Sequence, residues 1–345
     1  MMACIVPCWL LSQKGATRMN RRQLIAASAA LACAPVALPL SAQSAWPSRP
    51  LRMVVPFPPG GPTDAFARLY ATALGQQLGQ PVVLENKAGA SGAVGALEVR
   101  RSAPDGYTLL FGTASTHVLY NLIQPKPQFD SLADFAWVGV LGGAPLVFAV
   151  HPQMPATLGE LVVRSRAQPG SMSYGSPGSG TMMHIAAERL KQLTGAQIAH
   201  VPYKGSAPAR QDLLGGTLQM AIDTLGPMLP QHQAGKARIV GIASARRAAS
   251  APDIPTVAES AGLAEPFEAM LWNVVTVPRD TPGDLIRVLA EASRRSMADP
   301  ALRSQLESQS MFADVHFGPD AERFARAELA KWKPIVDQLG DQARG

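Results

Sequence analysis

Cysteine is scarce in this sequence. The three cysteines among its 345 residues are Cys4, Cys8 and Cys33. Because no thiol follows residue 33, the rest of the chain can form no disulfide bond and no cysteine-ligated metal site. The 303 residues after Ala42 (345 − 42) must therefore be stabilised by packing, and they are numerous enough to bury one or two large cores.

Clusters of basic residues interleaved with aromatic residues are also missing. The formal net charge of the whole chain is +6, but Lys14, Arg18, Arg21 and Arg22 lie in the first 42 residues, which hold no acidic residue. The remaining chain therefore carries a net charge of +2 (+6 − 4). This small charge gives no support to a nucleic-acid-binding surface, and we expect no nucleic-acid partner.

Common enzyme motifs are absent as well. The chain has no Gly-x-Ser-x-Gly elbow, no Walker loop and no His-Glu-x-x-His motif. Gly89, Gly92 and Gly95 resemble a dinucleotide-binding fingerprint, but they do not follow a strand with the right spacing. His184 and Glu188 share a helical face at i, i+4, yet a metal site needs further ligands. We predict a protein that is not an enzyme and holds no cofactor and no metal.

The beginning of the chain is typical of an export signal. Arg18, Arg21 and Arg22 form a basic segment, and residues 24–40 after it are uncharged and mostly apolar. Two prolines break this apolar stretch, which is short for a membrane span. We therefore predict a secretory signal peptide at residues 1–42.

Three details of the export signal stay open. Leu-Ser-Ala at 40–42 is an acceptable cleavage site, and Ala45 is a nearby alternative. Met19 is the expected start of translation, because residues 1–18 resemble no export element. The pair of adjacent arginines fits either an ordinary Sec signal or a twin-arginine signal, so the export route is undecided.

Short apolar segments alternate with amphipathic helical segments in the rest of the chain. Strands are predicted at residues 52–55, 82–85, 109–113, 147–150, 171–174, 198–201, 220–223, 239–243 and 273–277. Helices are predicted at residues 65–78, 183–193, 207–214, 282–297, 300–309 and 319–339. Several strands are unbroken apolar runs, as in parallel strands covered on both faces. The alternation predicts an α/β fold with right-handed crossovers.

The length favours two domains over one doubly wound sheet. We predict a discontinuous first domain, formed by residues 46–145 with 272–345, and a second domain at residues 146–271. The chain would cross between them near residues 142–146 and 270–273, because no linker rich in proline or serine separates them.

The first candidate binding loop has the sequence Pro-Phe-Pro-Pro-Gly-Gly-Pro-Thr-Asp at residues 56–64. It joins a predicted strand to a predicted helix, where free N–H groups and the helix dipole attract anions. Gly60 and Gly61 allow close approach of the backbone to a ligand. Thr63 and Asp64 fall in the first helical turn.

A structural role is the competing interpretation of this loop. Asp64 fits a helix-capping role better than a catalytic one, and it has the i, i+4 spacing for an ion pair with Arg68. On that interpretation the loop is only a turn before a capped helix.

The second candidate loop, Tyr-Gly-Ser-Pro-Gly-Ser-Gly-Thr at residues 174–181, also leads directly into a helix. Three glycines and two serines at a helix N-terminus can hold one carboxylate without an arginine. A flexible surface loop is the competing interpretation. Because ligands of open α/β sheets bind beyond the carboxyl ends of strands, the two loops together predict an anion-binding cleft.

Other polar residues follow predicted strands and are weaker candidates. They are Thr113, Ser115, Tyr203, Lys204, Asp223 and Thr224. Lys204 also fits a solvated surface position. Asp223 suits either an amino group on a ligand or a cap for the next helix.

Several motifs occur in an order that resembles one protein family. They are Trp-Pro-Ser-Arg-Pro at 46–50, Val-Val-Pro-Phe-Pro-Pro-Gly-Gly at 54–61, Glu-Asn-Lys-Ala-Gly-Ala at 85–90, Ala-Pro-Asp-Gly-Tyr-Thr-Leu-Leu at 103–110, Ser-Pro-Gly-Ser-Gly-Thr at 176–181, Val-Pro-Tyr-Lys-Gly-Ser at 201–206 and Ile-Pro-Thr at 254–256. The set is similar to the Bug (TctC-like) family of periplasmic substrate-binding proteins of tripartite tricarboxylate transporters. The resemblance extends from Trp46 to the C-terminal helices.

The resemblance implies a monomeric periplasmic receptor without catalysis. Its fold would be periplasmic-binding-protein-like (type II), with two doubly wound α/β domains and a Venus-flytrap cleft between them. Its partners would be a small carboxylate ligand and the membrane permease subunits of the transporter. The matching ligand-binding positions are Pro58, Gly60, Gly61, Thr63, Asp64, Ser176, Gly178, Ser179, Gly180 and Thr181, with Thr113, Ser115, Tyr203, Lys204, Asp223 and Thr224 lining the pocket.

One position departs from the family pattern. Pro62 stands where the family often has glycine, and proline lacks an N–H donor, although the first position of a helix tolerates that loss. The alternatives to a transport receptor are a ligand-sensing receptor for a signalling partner, and an enzyme that acts on a carboxylic acid through Asp64, His184 or Asp223.

Overall fold

A computed structural model of the protein describes residues 46–345. The predicted signal peptide, at residues 1–42, lies outside the described residues and stays a prediction. Among the described residues, no helix is both long enough and apolar enough to cross a membrane.

One mixed sheet of ten strands forms the centre of the described part of the chain. The strands are β1 (Leu51–Val55), β2 (Val82–Asn86), β3 (Thr108–Thr113), β4 (Phe135–Val150), β5 (Ser173–Ser176), β6 (Ala199–Pro202), β7 (Met220–Thr224), β8 (Arg238–Ile242), β9 (Met270–Pro278) and β10 (His316–Phe317). The strand order is β2-β1-β3-β9-β4-β7-β5-β6, and β8 and β10 also pair with β4.

Helices cover the sheet. They are α1 (Pro62–Leu78), α2 (Ala93–Arg100), α3 (Tyr120–Ile123), α4 (Leu158–Ala167), α5 (Met182–Thr194), α6 (Ser206–Leu214), α7 (Leu225–Gln233), α8 (Val257–Ala261), α9 (Gly283–Ala298), α10 (Pro300–Ser308) and α11 (Pro319–Leu339). Short 3₁₀ turns occupy Ala90–Gly92 and Gly340–Ala343, and a π-helical turn occupies Ser115–Leu119. The six helices predicted from the sequence are all present, with ends within three residues of the predicted ones.

The prediction of parallel strands is correct for part of the sheet. β1 is parallel to β2 and β3, and β5 is parallel to β6 and β7. The prediction is wrong for β4, β8 and β9, because β9 is antiparallel to β3 and β4, and β4 is antiparallel to β7 and β8. An antiparallel strand that is buried on both faces has the same unbroken apolar sequence as a parallel one.

β4 is longer than its sequence suggests. Only residues 147–150 are predicted as a strand, whereas β4 has 16 residues and all of them are buried. It pairs with β9 over residues 135–145 and with β7 over residues 146–150. At Gly143 a Cβ would lie 1.9 Å from the main-chain oxygen of Leu271, so glycine permits the close contact between β4 and β9.

Two groups of strands therefore meet at β4. One group is β9, β3, β1 and β2, and helices α1 and α9 pack over it, with Phe66, Tyr70 and Phe111 in the core. The other group is β7, β5 and β6, packed against α5 and α6. Division into domains at residues 46–145 with 272–345 and at residues 146–271 stays a prediction. This arrangement brings the ends of β1, β5 and β6 to one region of the molecule.

Candidate functional site

The N-terminal ends of three helices line one hollow. Pro62 begins α1, Met182 begins α5 and Ser206 begins α6. The hollow is small, with a cavity volume of about 40 Å³, and it adjoins a larger hollow described below. Its lining residues are Phe57, Pro58, Pro59, Gly61, Pro62, Thr63, Ser115, Pro177, Thr181, Met183, Lys204, Gly205, Ser206, Ala207, Pro208 and Leu271. Five of these residues are prolines.

Local sequence explains where the three helices begin. Pro62 is the first residue of α1, three residues before the predicted start, and a missing N–H costs no helical hydrogen bond there. Thr181 caps α5, and its hydroxyl accepts a hydrogen bond from the main-chain N–H of His184 at 3.4 Å. α6 follows Gly205, which has φ +109°, and a Cβ there would lie 3.2 Å from Pro58 Cγ. Glycine at position 205 therefore lets the segment between β6 and α6 approach the first loop closely.

The hollow is electropositive. Each helix N-terminus carries the equivalent of about +0.5 elementary charge, and its first N–H groups have no partner inside the helix. Lys204, which is exposed, also lines the hollow, and no Asp or Glu among residues 46–345 does. Thr63, Ser115, Thr181 and Ser206 also bring hydroxyl groups to the wall, but the Thr181 hydroxyl donates to the main-chain oxygen of Gly178 at 2.7 Å and the Ser206 hydroxyl bonds Asp223. The free main-chain N–H groups and the positive charge suit an anion.

A second hollow adjoins the first. It is lined by residues 88–92 from one group of strands and by Gly178, Ser179 and Tyr203 from the other. The two hollows share six wall residues, namely Phe57, Pro58, Pro177, Thr181, Lys204 and Gly205. The Ser91 hydroxyl donates a hydrogen bond to the main-chain oxygen of Ser179, so the two groups of strands are in direct contact here.

The sixteen predicted site residues fall into three sets. Those on the wall of the first hollow are Pro58, Gly61, Thr63, Ser115, Thr181 and Lys204. Those on the wall of the second hollow alone are Gly178, Ser179 and Tyr203. Those on neither wall are Gly60, Asp64, Thr113, Ser176, Gly180, Asp223 and Thr224.

Asp64 holds the first loop together from inside. Its carboxylate accepts hydrogen bonds from Gly60 N at 3.1 Å, Asn86 Nδ2 at 2.9 Å, and Arg68 Nε and Nη2 at 2.9 and 3.0 Å. Burial alone would raise the pKa of this carboxyl, but the bonds from Arg68, Asn86 and Gly60 outweigh it and hold the pKa below its usual value. The predicted ion pair with Arg68 is therefore present, and the carboxylate has no free position toward the hollow.

Asp223 forms an ion pair with Arg210 of α6. Arg210 Nη1 donates to its carboxylate at 2.6 Å, and the N–H of Thr224 donates at 2.8 Å. Asp223 is only 2% exposed, and this burial raises the pKa of its carboxyl despite the nearby Arg210 charge. The side chain therefore does not cap the next helix, α7. The Thr224 hydroxyl is buried without a hydrogen-bond partner among the described residues.

Ser176 and Gly180 are held by two stacked histidines beneath the second loop. Ser176 Oγ lies 2.7 Å from His200 Nε2, and it also contacts the N–H and the main-chain oxygen of Gly178, both at 3.2 Å. The N–H of Gly180 donates to His184 Nδ1 at 3.0 Å. The two imidazole rings stack at 4.1 Å. These contacts fix the loop conformation from below.

Both histidines are neutral at pH 7. Burial, reinforced by Lys191, lowers the pKa of His184 to about 4. Burial, with the adjacent His184, lowers the pKa of His200 to about 3. Because Nδ1 of His184 accepts a hydrogen bond, a proton there would break the contact with Gly180.

We expect His184→Asn to reduce the acid sensitivity of the protein. The folded-state pKa of His184 lies below the ordinary value of about 6.5, so the unfolded chain takes up a proton that the folded chain does not. Stability is then lost as pH falls from about 6.5 toward 4, by about 1.4 kcal/mol per pH unit for this group. Urea unfolding at pH 6.5 and 5 should show a smaller loss in the variant, whose amide oxygen can still accept from Gly180. Equal losses in both proteins would contradict this assignment.

Sequence reasoning missed several wall residues. Met183 and Leu271 carry no polar signal, and Leu271 comes from an antiparallel strand far along the chain. Ser206 and Ala207 open α6 after the end of β6 and a glycine, which is the same strand–turn–helix signal that identified the two candidate loops. That signal would have found the third helix N-terminus. Ser206 is the first residue of this helix, and Gly205 precedes it as the N-cap.

A metal site has no support within residues 46–345. No group of three or more His, Cys, Asp or Glu side chains is arranged there to hold an ion. Glu188 Oε1 instead accepts hydrogen bonds from Tyr174 at 2.5 Å and Lys191 at 2.8 Å.

Comparison with known proteins places these features in a family. The sequence model described as "Tripartite tricarboxylate transporter family receptor" matches residues 66–341. Protein BugT of Bordetella pertussis is 35% identical over 326 residues, which cover 93% of this chain and 99% of that protein. The family model therefore covers the second loop, at residues 174–181, and begins just after the first loop, at residues 56–64.

Two solved structures share the fold over most of the chain. A protein of R. palustris, solved with adipate, is 32% identical with a TM-score of 0.81, covering 86% of this chain and 98% of that chain. The periplasmic binding protein BugD is 29% identical with a TM-score of 0.80, covering 86% and 99%. The predicted α/β fold of periplasmic binding proteins is therefore confirmed. The chain belongs to the family of tripartite tricarboxylate transporter receptors, the Bug or TctC-like proteins.

Proposed function

We propose that this protein is a periplasmic receptor that binds a small organic carboxylate in the first hollow and delivers it to the permease subunits of a tripartite transporter. One observation carries the proposal: three helix N-termini converge on this hollow. Within residues 46–345, no acidic side chain lines it. Such a site stabilises a negative charge by main-chain dipoles and N–H groups.

The donors available to a carboxylate can be named. Thr63, Met183, Ser206 and Ala207 line the hollow and lie in first helical turns, where N–H groups have no partner inside the helix. The N–H of Met182 is engaged by Ser115 Oγ at 3.0 Å. A carboxylate between these groups would receive charge-assisted hydrogen bonds, which are stronger than neutral ones.

Contacts across the cleft support closure around the ligand. The bond between Met182 and Ser115 joins α5 to the end of β3, and the bond between Ser91 and Ser179 joins the two loops of the second hollow. We propose that residues 46–145 with 272–345 and residues 146–271 close as two lobes by a hinge motion. A ligand bound from both sides would favour the closed state because only that state supplies all donors.

Calorimetry against a panel of organic acids tests the binding step. The panel should include adipate, which is bound to a relative of 32% identity, with other diacids, hydroxy acids and aromatic acids. At an acid concentration of 1,000 times Kd, we expect a stability gain of about 4 kcal/mol and a matching rise in Tm. If no acid releases heat and none raises Tm, the receptor function is wrong. Co-purification with permease subunits from membranes tests delivery separately.

A further inference from the structure

Both acidic side chains that could serve a ligand amine are already engaged. Asp64 is 3% exposed and is bound by Arg68, Asn86 and Gly60 N–H. Asp223 is 2% exposed and is bound by Arg210. Neither Asp64 nor Asp223 lines the first or the second hollow. An ammonium group in the first hollow would therefore find no carboxylate partner among residues 46–345.

The charges that do face the hollow repel an ammonium group. Three helix N-termini present partial positive charge, and Lys204 adds a full positive charge on the wall that both hollows share. Much of the remaining wall is apolar, with Phe57, Met183, Leu271 and five prolines. A charged amine held there would be desolvated without a side-chain carboxylate from residues 46–345 to offset the cost.

We propose that the site selects carboxylates that carry no amino group and that have an apolar body, and that Lys204 is a specificity-determining residue that excludes amino acids of the same shape. The carboxylate lies at the helix N-termini, and the carbon chain lies against the apolar wall. This inference rests on the proposed function, because it concerns the ligand of the same hollow.

Matched ligand pairs test the proposal by calorimetry. Adipate is compared with 2-aminoadipate, and L-malate with L-aspartate, since each pair has nearly the same shape and differs in the amino group. We expect the acid without the amine to bind about 100-fold more tightly in at least one pair, because an unpaired buried ammonium costs several kcal/mol. Equal affinity within the pairs, or tighter binding of the amino acids, would overturn the proposal.

Failure of the receptor function and failure of the selectivity give different results. If no member of either pair binds, and no other acid in the panel binds, the receptor function itself is wrong. If both members of each pair bind with similar affinity, the function stands and the selectivity is wrong. A monoacid pair, hexanoate and norleucine, shows whether discrimination needs a second carboxylate.

Lys204→Glu provides the reciprocal test. Reversing this charge should weaken adipate binding and strengthen 2-aminoadipate binding, so that the affinity ratio falls at least tenfold. Lys236→Glu is the matched control, because Lys236 is exposed and lines neither hollow, yet the change in net charge is the same. An unchanged ratio in Lys204→Glu, or an equal fall in both variants, would show that Lys204 does not determine specificity.

Discussion

Arg210→Met should destabilise the protein by about 3–5 kcal/mol at pH 7, because it leaves the buried carboxylate of Asp223 without its cation. Arg210 and Asp223 are joined at 2.6 Å, with 16% and 3% of their side-chain surfaces exposed. Replacement by methionine keeps much of the side-chain volume, so the loss measures the unpaired charge rather than a cavity. Urea unfolding of the unmodified protein and of Arg210→Met measures this difference in the free energy of unfolding.

The pH dependence of this loss identifies its cause. Burial already raises the folded-state pKa of Asp223, and removal of Arg210 raises it further. A raised carboxyl pKa costs stability above the folded pKa, and the cost disappears as pH falls toward the unfolded value of about 3.9. The penalty of Arg210→Met should therefore be smaller at pH 5 than at pH 7. The double variant with Asp223→Asn should recover most of the loss, and an additive double variant would contradict the pairing.

Ser206→Pro should weaken carboxylate binding about 10–100-fold relative to Ser206→Ala. Both variants remove the hydroxyl, which also contacts Asp223, but only proline removes the main-chain N–H at the first position of α6. A hydrogen bond to a charged group contributes about 1.5–3 kcal/mol. Proline fits the first position of a helix, as Pro62 does in α1, so stability should change little.

A second proline variant provides the control for Ser206→Pro. Gly283 is exposed, begins α9 and lies on the wall of neither hollow. Gly283→Pro should therefore leave adipate affinity unchanged. Calorimetry of all three variants against adipate makes the comparison, and equal affinities for Ser206→Pro and Ser206→Ala would show that the N–H does not bind the ligand.

The sequence contained enough local information to locate the two glycine loops. Glycines between an apolar strand and an amphipathic helix predicted the loops at residues 56–64 and 174–181, and the i, i+4 spacing predicted the pair of Asp64 with Arg68. These features depend on neighbours within a few residues. Local sequence is therefore sufficient for them.

Long-range pairing accounts for what the sequence did not reveal. Glycines and a proline are unfavourable inside a strand, yet Gly139, Gly143 and Pro145 lie in β4 because it pairs with β9, and Gly142, with φ +95°, sits at a register shift in that pairing. The direction in which Asp223 points depends on Arg210, which comes from the preceding helix. Leu271 reaches the hollow because β9 returns antiparallel to β4. No periodicity in the sequence indicates these contacts between distant residues.

The five prolines on the wall of the first hollow have a consequence for the thermodynamics of binding. A pyrrolidine ring fixes φ and leaves almost no rotamer freedom to lose. When a guest enters, this part of the wall is already rigid, so little of the interaction free energy is consumed in ordering it. A few main-chain donors can then give useful affinity without any arginine clamp on the guest.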